Sequence, residues 1–192
     1  MTRFLTSATC KIWLPWSLLL LLTGVLQWTG GYPALRLALP ATDNSWLYTG
    51  LTCHLVHLSS RHWLYNALAL IVIAAYFARF YTWRQWLLTY CLSALCISAG
   101  LLWFPQGLHS YAGLSGVLHG LFAMGCLRLA ASQPKLALGL GLLLLVKLLL
   151  ETRFGSVLMP TPGFPVAHMA HVYGVIGGVL SWVCVYVVRQ RR

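Results

Sequence analysis

Apolar residues along the chain gather into six runs separated by short segments rich in polar, proline or glycine residues. They are Ile12 to Trp28, Trp63 to Tyr81, Trp86 to Phe104, Ser115 to Leu129, Leu136 to Leu150 and Met169 to Val188. A spanning helix needs about 20 mostly apolar residues, and somewhat fewer where the bilayer adapts. The pattern therefore predicts an all-α polytopic membrane protein with six transmembrane helices, approximately 12–28, 63–81, 86–104, 115–129, 136–150 and 169–188, in a single membrane domain over 1–192. The fourth and fifth runs are short, and each carries a polar or charged residue. The first run, preceded by Arg3 and Lys11, has the outline of a signal peptide's apolar region. The sequence Gln27-Trp28-Thr29-Gly30-Gly31 lacks a small-x-small cleavage site, so we read the run as a retained span. Gly30, Gly31, Pro33, Pro40, Asp43 and Asn44 mark the connection from Thr29 to Arg61 as a structured loop without a span of its own. The connection from Glu151 to His168 holds Gly155, Pro160, Pro162, Gly163 and Pro165, and it cannot be helical throughout.

Composition agrees with the pattern. The chain has 192 residues, 59% of them hydrophobic and 8% charged, with a mean hydropathy of +0.77, against roughly 25% charged residues in a soluble domain. A formal net charge of +11 raises nucleic acid as a partner, but the basic residues stand singly between apolar runs, so they are read as topology signals and no nucleic acid is expected. With the N-terminus inside, Arg3, Lys11, Arg79, Arg84, Arg128, Lys135, Arg189, Arg191 and Arg192 fall on the cytoplasmic side. Arg36, Arg61, Lys147 and Arg153 fall on the other. The asymmetry predicts two cytoplasmic termini and sends every histidine to the outer half of the membrane. Cys91, Cys96, Cys126 and Cys184 lie in apolar runs as small hydrophobes, leaving Cys10 and Cys53 as the accessible thiols.

Asp43 and Glu151 are the only carboxylates. Counting thus excludes a pair of intramembrane aspartates and a His-Glu-His zinc helix. Polar side chains at membrane depth are costly and face interior cavities, which singles out four residues. His62 and Asn66 are four apart on one face of the second span. Ser115 stands in Gly113-Leu114-Ser115-Gly116 at a loop-to-helix junction, and His171 opens the sixth span. A serine hydroxyl becomes a nucleophile when a base within hydrogen-bond reach takes its proton, and histidines are the bases available at that depth. Gly116 and Gly120 on the fourth span, and Gly174 and Gly178 on the sixth, are small-residue faces that allow close backbone approach. If those faces meet, Ser115 and His171 come together. A developing oxyanion would be met by backbone N–H groups at the start of the fourth span and by His62 and Asn66. No carboxylate is left to orient the histidine, so the expected machinery is a Ser-His dyad with no metal and no cofactor.

At these residues the chain resembles a rhomboid intramembrane serine protease. His57 followed five residues later by His62-x-x-x-Asn66, then Gly113-Leu114-Ser115-Gly116, then Ala170-His171-x-x-Gly174-x-x-x-Gly178 stand in the family's order and span residues 55 to 178. The resemblance implies a six-helix rhomboid-like bundle, Ser115 as nucleophile, His171 as base, and His62 with Asn66 as oxyanion partners. It also implies a lateral loop over 29–61, and a cap over 151–167. Two features depart from the family. The Trp-Arg pair of the first outer loop is absent, and the position four after the nucleophile, often tyrosine, is His119. His119 would stack on His171, hold it by a hydrogen bond or perturb its protonation. Gly-Leu-Ser-Gly-x-x-His-Gly in so short a chain is similar to the rhombosortase subgroup. That likeness implies a bacterial inner membrane, an active site facing the periplasm, and single-pass membrane protein substrates carrying a C-terminal Gly-Gly motif, apolar helix and basic cluster.

Two other classes compete. His62, His119, His168 and His171 on one side suggest a histidine-ligated haem or metal protein, though without a neighbouring cysteine cluster. A catalytically inactive rhomboid-like binding protein is the second, although such relatives usually lack the serine or the histidine.

Overall fold

The computed structural model describes residues 7–104, 107–155 and 167–190. Much of the proposed cap (Pro160, Pro162, Gly163 and Pro165) lies outside the described residues, as do the topology charges Arg3, Arg191 and Arg192. The side chains of Cys10, Lys11 and Arg189 are likewise outside them. Among the described residues the chain is all-α apart from one short ladder. Its helices are α1 (Ser7–Trp28), α2 (Tyr32–Leu35), α3 (Trp46–Thr52), α4 (Ser60–Phe77), α5 (Trp83–Trp103), α6 (Ser115–Leu129), α7 (Pro134–Phe154) and α8 (His168–Gln190).

Local chemistry sets where several of these helices begin and end. The Ser59 hydroxyl accepts the His62 N–H at 3.2 Å and starts α4 ahead of the apolar run. Thr82 and Gln85 form a reciprocal capping box that starts α5, satisfying amides that have no partner within the helix. Pro134 opens α7, where its missing N–H costs nothing. That helix runs one turn past the apolar stretch to Gly155, whose φ of 77° ends it. Glu151 therefore belongs to the last turns of α7 rather than to the connection that follows.

Among the described residues, three helical stretches of 21 residues, Ser60–Phe80, Trp83–Trp103 and His168–Val188, are long and apolar enough to cross a membrane, and Ile12–Trp28 and Ser115–Leu129 are shorter apolar helices. The protein is a multi-pass membrane protein. Exposed leucines on α1 (Leu14, Leu18, Leu21, Leu22) and α7 (Leu138, Leu142, Leu143, Leu145, Leu149) present hydrocarbon outward, as lipid-facing helices do. On α7 only Ala137, Leu148 and Glu151 are buried.

The core forms where α8 packs against α6 and α5. A methyl group on Gly174 or Gly178 would overlap the carbonyl of Gly116 or Gly120, and one on Gly116 would lie 2.8 Å from the Ala170 oxygen. Gly177 meets the α5 backbone at Leu92 and Ser93 in the same way. Hydroxyls cross these seams: Ser93 Oγ donates to the Gly174 carbonyl at 3.2 Å, and Thr89 and Ser181 are 2.9 Å apart. With no water available, such bonds satisfy groups that the bilayer would leave unpaired.

The segment between α1 and α4 folds onto the bundle. Strand β1 (Leu37–Ala38) pairs antiparallel with β2 (Ser110–Tyr111), Leu37 opposite Tyr111. The Leu39 N–H donates to His109 O and the Gly113 N–H to Cys53 O, both at 3.0 Å. Leu37, Cys53, His54 and Val56 are buried beneath. Cys53 is not the accessible thiol expected, because the loop turns it into this core. The ladder and the two backbone bonds fix the segment that leads into α6.

The glycine seam makes a stability prediction. Gly174→Ala should lower the melting temperature of detergent-purified protein, at a cost of about 1–3 kcal/mol for overpacking. Gly139→Ala, where a methyl group meets nothing within 4 Å, should be neutral or stabilising by up to about 1 kcal/mol. Equal effects at the two sites would contradict the close backbone contact.

Candidate active site

Ser115 is the first residue of α6 and His171 lies in the first turn of α8. The glycine seam begins one residue after Ser115 and three after His171, so it carries both to the same level. Ser115 Oγ and His171 Nε2 are 3.0 Å apart. His171 Nδ1 is 2.8 Å from Glu151 Oε2, and Lys147 Nζ is 2.6 Å from the same oxygen. Lys147 Nζ is also 2.6 Å from His119 Nε2, and His119 Nδ1 is 2.7 Å from the Ser115 carbonyl oxygen. The His119 and His171 rings stack with centroids 4.2 Å apart and planes 14° from parallel.

Donor and acceptor capacity assigns the hydrogens. A carbonyl only accepts, so His119 Nδ1 carries the hydrogen it donates to Ser115, and its Nε2 accepts from the Lys147 ammonium. A carboxylate likewise accepts, so His171 Nδ1 donates to Glu151 at 2.8 Å, and Lys147 Nζ, 3.3 Å from the same nitrogen, gives its hydrogens to the nearer Glu151 and His119. That leaves the His171 Nε2 lone pair for the Ser115 hydroxyl.

This arrangement corrects the expectation that no carboxylate is left beside the histidine. The counting was correct, but Glu151 lies inside α7, turned inward, with 9% side-chain exposure. The missed signal was spacing: Lys147 and Glu151 are four apart and share a helix face, and charges within an apolar helix point to an interior site. Of the three roles expected for His119, the structure shows stacking. Its hydrogen bonds go to Ser115 and Lys147 rather than to His171.

His62 and Asn66 are placed differently from one another. Gly113, two residues before the serine, has φ 145°, and a methyl group there would lie 2.7 Å from His62 Cε1, so the loop backbone rests directly on the His62 ring. Asn66 is buried, and its amide donates to the His62 carbonyl of its own helix at 2.9 Å rather than across to Ser115. The sequence motif gives His57 no role of its own. Its Nε2 accepts the Leu114 N–H at 3.4 Å and its ring meets His62 edge-on at 5.2 Å. At the head of α6 the N–H groups of Ser115, Gly116 and Val117 have no acceptor four residues back within the helix, which makes this end receptive to negative charge.

Among the described residues, His119, Glu151 and His171 offer possible metal ligands within 4.8 Å of one another. This is not the set of four histidines expected from sequence, since His62 and His168 are outside it. The Lys147 ammonium donates to two members of the group, so a cation of the chain itself already uses those lone pairs.

In the loop before α4, burial holds the His54 pKa down at about 4, opposed by its bonding to α5 backbone. Burial, followed by the charge of His62, holds His57 at about 3. Both are neutral in the fold, whereas the unfolded chain binds protons below about 6.5. Their contribution to stability is therefore complete above that pH and is lost as pH falls through about 4 and about 3. Melting temperature measured against pH should decline below neutrality, and His54→Asn/His57→Asn should flatten part of that decline. An unchanged slope would contradict the assignment.

A family model described as Rhomboid domain matches residues 44–187, a stretch that holds every residue of this site. No curated protein matches the chain.

Proposed function

The chain belongs to the rhomboid family, whose members are generally intramembrane serine proteases, and we propose that it is an intramembrane serine endopeptidase in which Ser115 is the nucleophile and His171 the base. The observation that carries this reading is the 3.0 Å separation of Ser115 Oγ and His171 Nε2. The geometry is that of a hydroxyl poised to transfer its proton. As Oγ bonds to the substrate carbonyl carbon, its proton passes to Nε2 and the carbonyl π electrons move to oxygen. The head of α6 would receive that oxyanion through the Ser115 and Gly116 N–H groups, with His62 and Asn66 as side-chain donors. Asn66 would have to release the His62 carbonyl to take part. Collapse breaks the C–N bond, and the leaving amine takes the proton from Nε2. Water then attacks the ester, gives a proton to the same nitrogen, and restores Ser115 with release of the acid.

The substrates in this reading are single-pass membrane proteins cut near the outer boundary of their helix, reached through membrane lipid. The motif from Gly113 to Gly120, with His119 stacked on His171, supports rhombosortase-like action on C-terminal tails with a Gly-Gly motif. The placement is a bacterial inner membrane, six spans, cytoplasmic termini and a site open to the periplasm. It is supported by the distribution of basic residues and by the clustering of histidines at one end of the helices.

Labelling of detergent-purified protein by a fluorophosphonate tests the mechanism. Wild type should react, while Ser115→Ala and His171→Ala should lose labelling and keep their helical circular dichroism. Loss of one side-chain oxyanion donor, in His62→Ala, should reduce cleavage of a Gly-Gly-tailed substrate in proteoliposomes by about 10²–10³ in kcat. Labelling that survives in Ser115→Ala would contradict the mechanism. A well-folded wild type that never reacts would favour an inactive binding protein.

A further inference from the structure

The reaction proposed above leaves Lys147 and Glu151 of α7 without a task. α7 carries further charges at its two ends, Lys135 and Arg153, but Lys147 and Glu151 turn inward, with side-chain exposures of 23% and 9%. A buried ion pair is weak evidence of stabilisation, since desolvation offsets most of its attraction. The presence of such a pair calls for another explanation, and its bonding supplies one. A clasp between helices needs only polar groups opposite, yet Glu151 Oε2 meets His171 Nδ1 at 2.8 Å, and the hydrogen on that nitrogen decides which nitrogen faces Ser115. The bonds also close a ring. It runs from Ser115 Oγ to His171, Glu151, Lys147 and His119, and returns to the Ser115 carbonyl.

We propose that Glu151 is a positioning residue for His171, held in place by Lys147, so that this chain operates a Ser-His-Glu relay rather than a dyad. The inference rests on the Ser115–His171 reading above. Glu151 keeps the hydrogen on Nδ1, which points the Nε2 lone pair at Ser115, and it offsets the positive charge on the ring once Nε2 has taken the serine proton. The Nδ1 hydrogen stays on Nδ1 and Glu151 stays ionised throughout. Lys147 supplies the opposing charge that a buried carboxylate requires. His119 accepts from Lys147 and lies flat on the His171 ring, which limits the rotation of that ring.

The test uses the full chain in detergent, with Ser115→Ala and His171→Ala as references. Lys147→Met/Glu151→Gln removes both charges and leaves neither unpaired. The double variant should melt near wild type yet react with the fluorophosphonate about 10² times more slowly or worse, since loss of the corresponding carboxylate contact elsewhere costs about 10⁴. Nitrogen-15 spectra of histidine-labelled protein, with the His171 signals assigned by difference from His171→Ala, give a second readout that a purely structural role would not move. Wild-type His171 should show one protonated and one bare ring nitrogen, the protonated one being Nδ1, and the double variant should lose that preference. Reaction of the double variant at the wild-type rate would overturn the inference while leaving the serine and histidine roles intact. A wild-type His171 with bare Nδ1 would overturn it even if the variant fails to fold. Labelling independent of Ser115 would overturn the underlying mechanism and the relay together.

Discussion

The structure depends on how closely α8 approaches α6. Gly174 and Gly178 lie against the backbone of Gly116 and Gly120 with no room for a methyl group. Because Ser115 and His171 sit at the end of that seam, the spacing of two backbones becomes the spacing of a hydroxyl and an imidazole. A larger residue in the seam would separate the helices and, with them, the two side chains. The hydroxyl bonds from Ser93 to Gly174 and between Thr89 and Ser181 fasten α8 to α5, so the seam is held from a second side. In hydrocarbon there is little hydrophobic drive between helices, and contacts of this kind supply the attraction.

The charges of α7 follow a different logic. This helix has few buried positions and an apolar surface turned outward, yet its charged face meets the catalytic candidates. Lys147 Nζ lies 2.6 Å from both His119 Nε2 and Glu151 Oε2 and brings a positive charge of the chain itself to these acceptors. The same ammonium directs the His119 lone pair inward and balances Glu151. One protein cation thereby satisfies two acceptors that would be costly to leave unpaired at this depth.

Much of this was legible in the sequence, and the parts that were not have physical reasons. The meeting of Ser115 with His171 and of the four glycines was legible because motif spacing and helical periodicity encode which residues share a face. Six apolar runs marked the long helices, though capping by Ser59 and Thr82 and termination at Gly155 carried several of them beyond those runs. Glu151 was misread because hydropathy places a helix boundary at the last apolar residue, whereas α7 continues for another turn. Lys147 was read as a topology charge because position along the chain does not reveal which way a side chain turns. Asn66 is expected from sequence as an oxyanion partner, and in the structure its amide is bonded to the His62 carbonyl one helical turn back. Cys53 was expected to be open because loops are usually exposed, and here β1, β2 and the Gly113–Cys53 bond draw the loop into the core.

The central claim is that Ser115 is activated by His171 within a hydrogen-bonded ring closed by Glu151, Lys147 and His119. The most direct measurement is an experimental structure of the fluorophosphonate-treated protein in lipid or detergent. The account predicts phosphorus bonded to Ser115 Oγ, a phosphoryl oxygen against the N–H groups at the head of α6, and the His171 Nδ1–Glu151 contact unbroken. An adduct on another residue, or Glu151 turned away from His171, would contradict it.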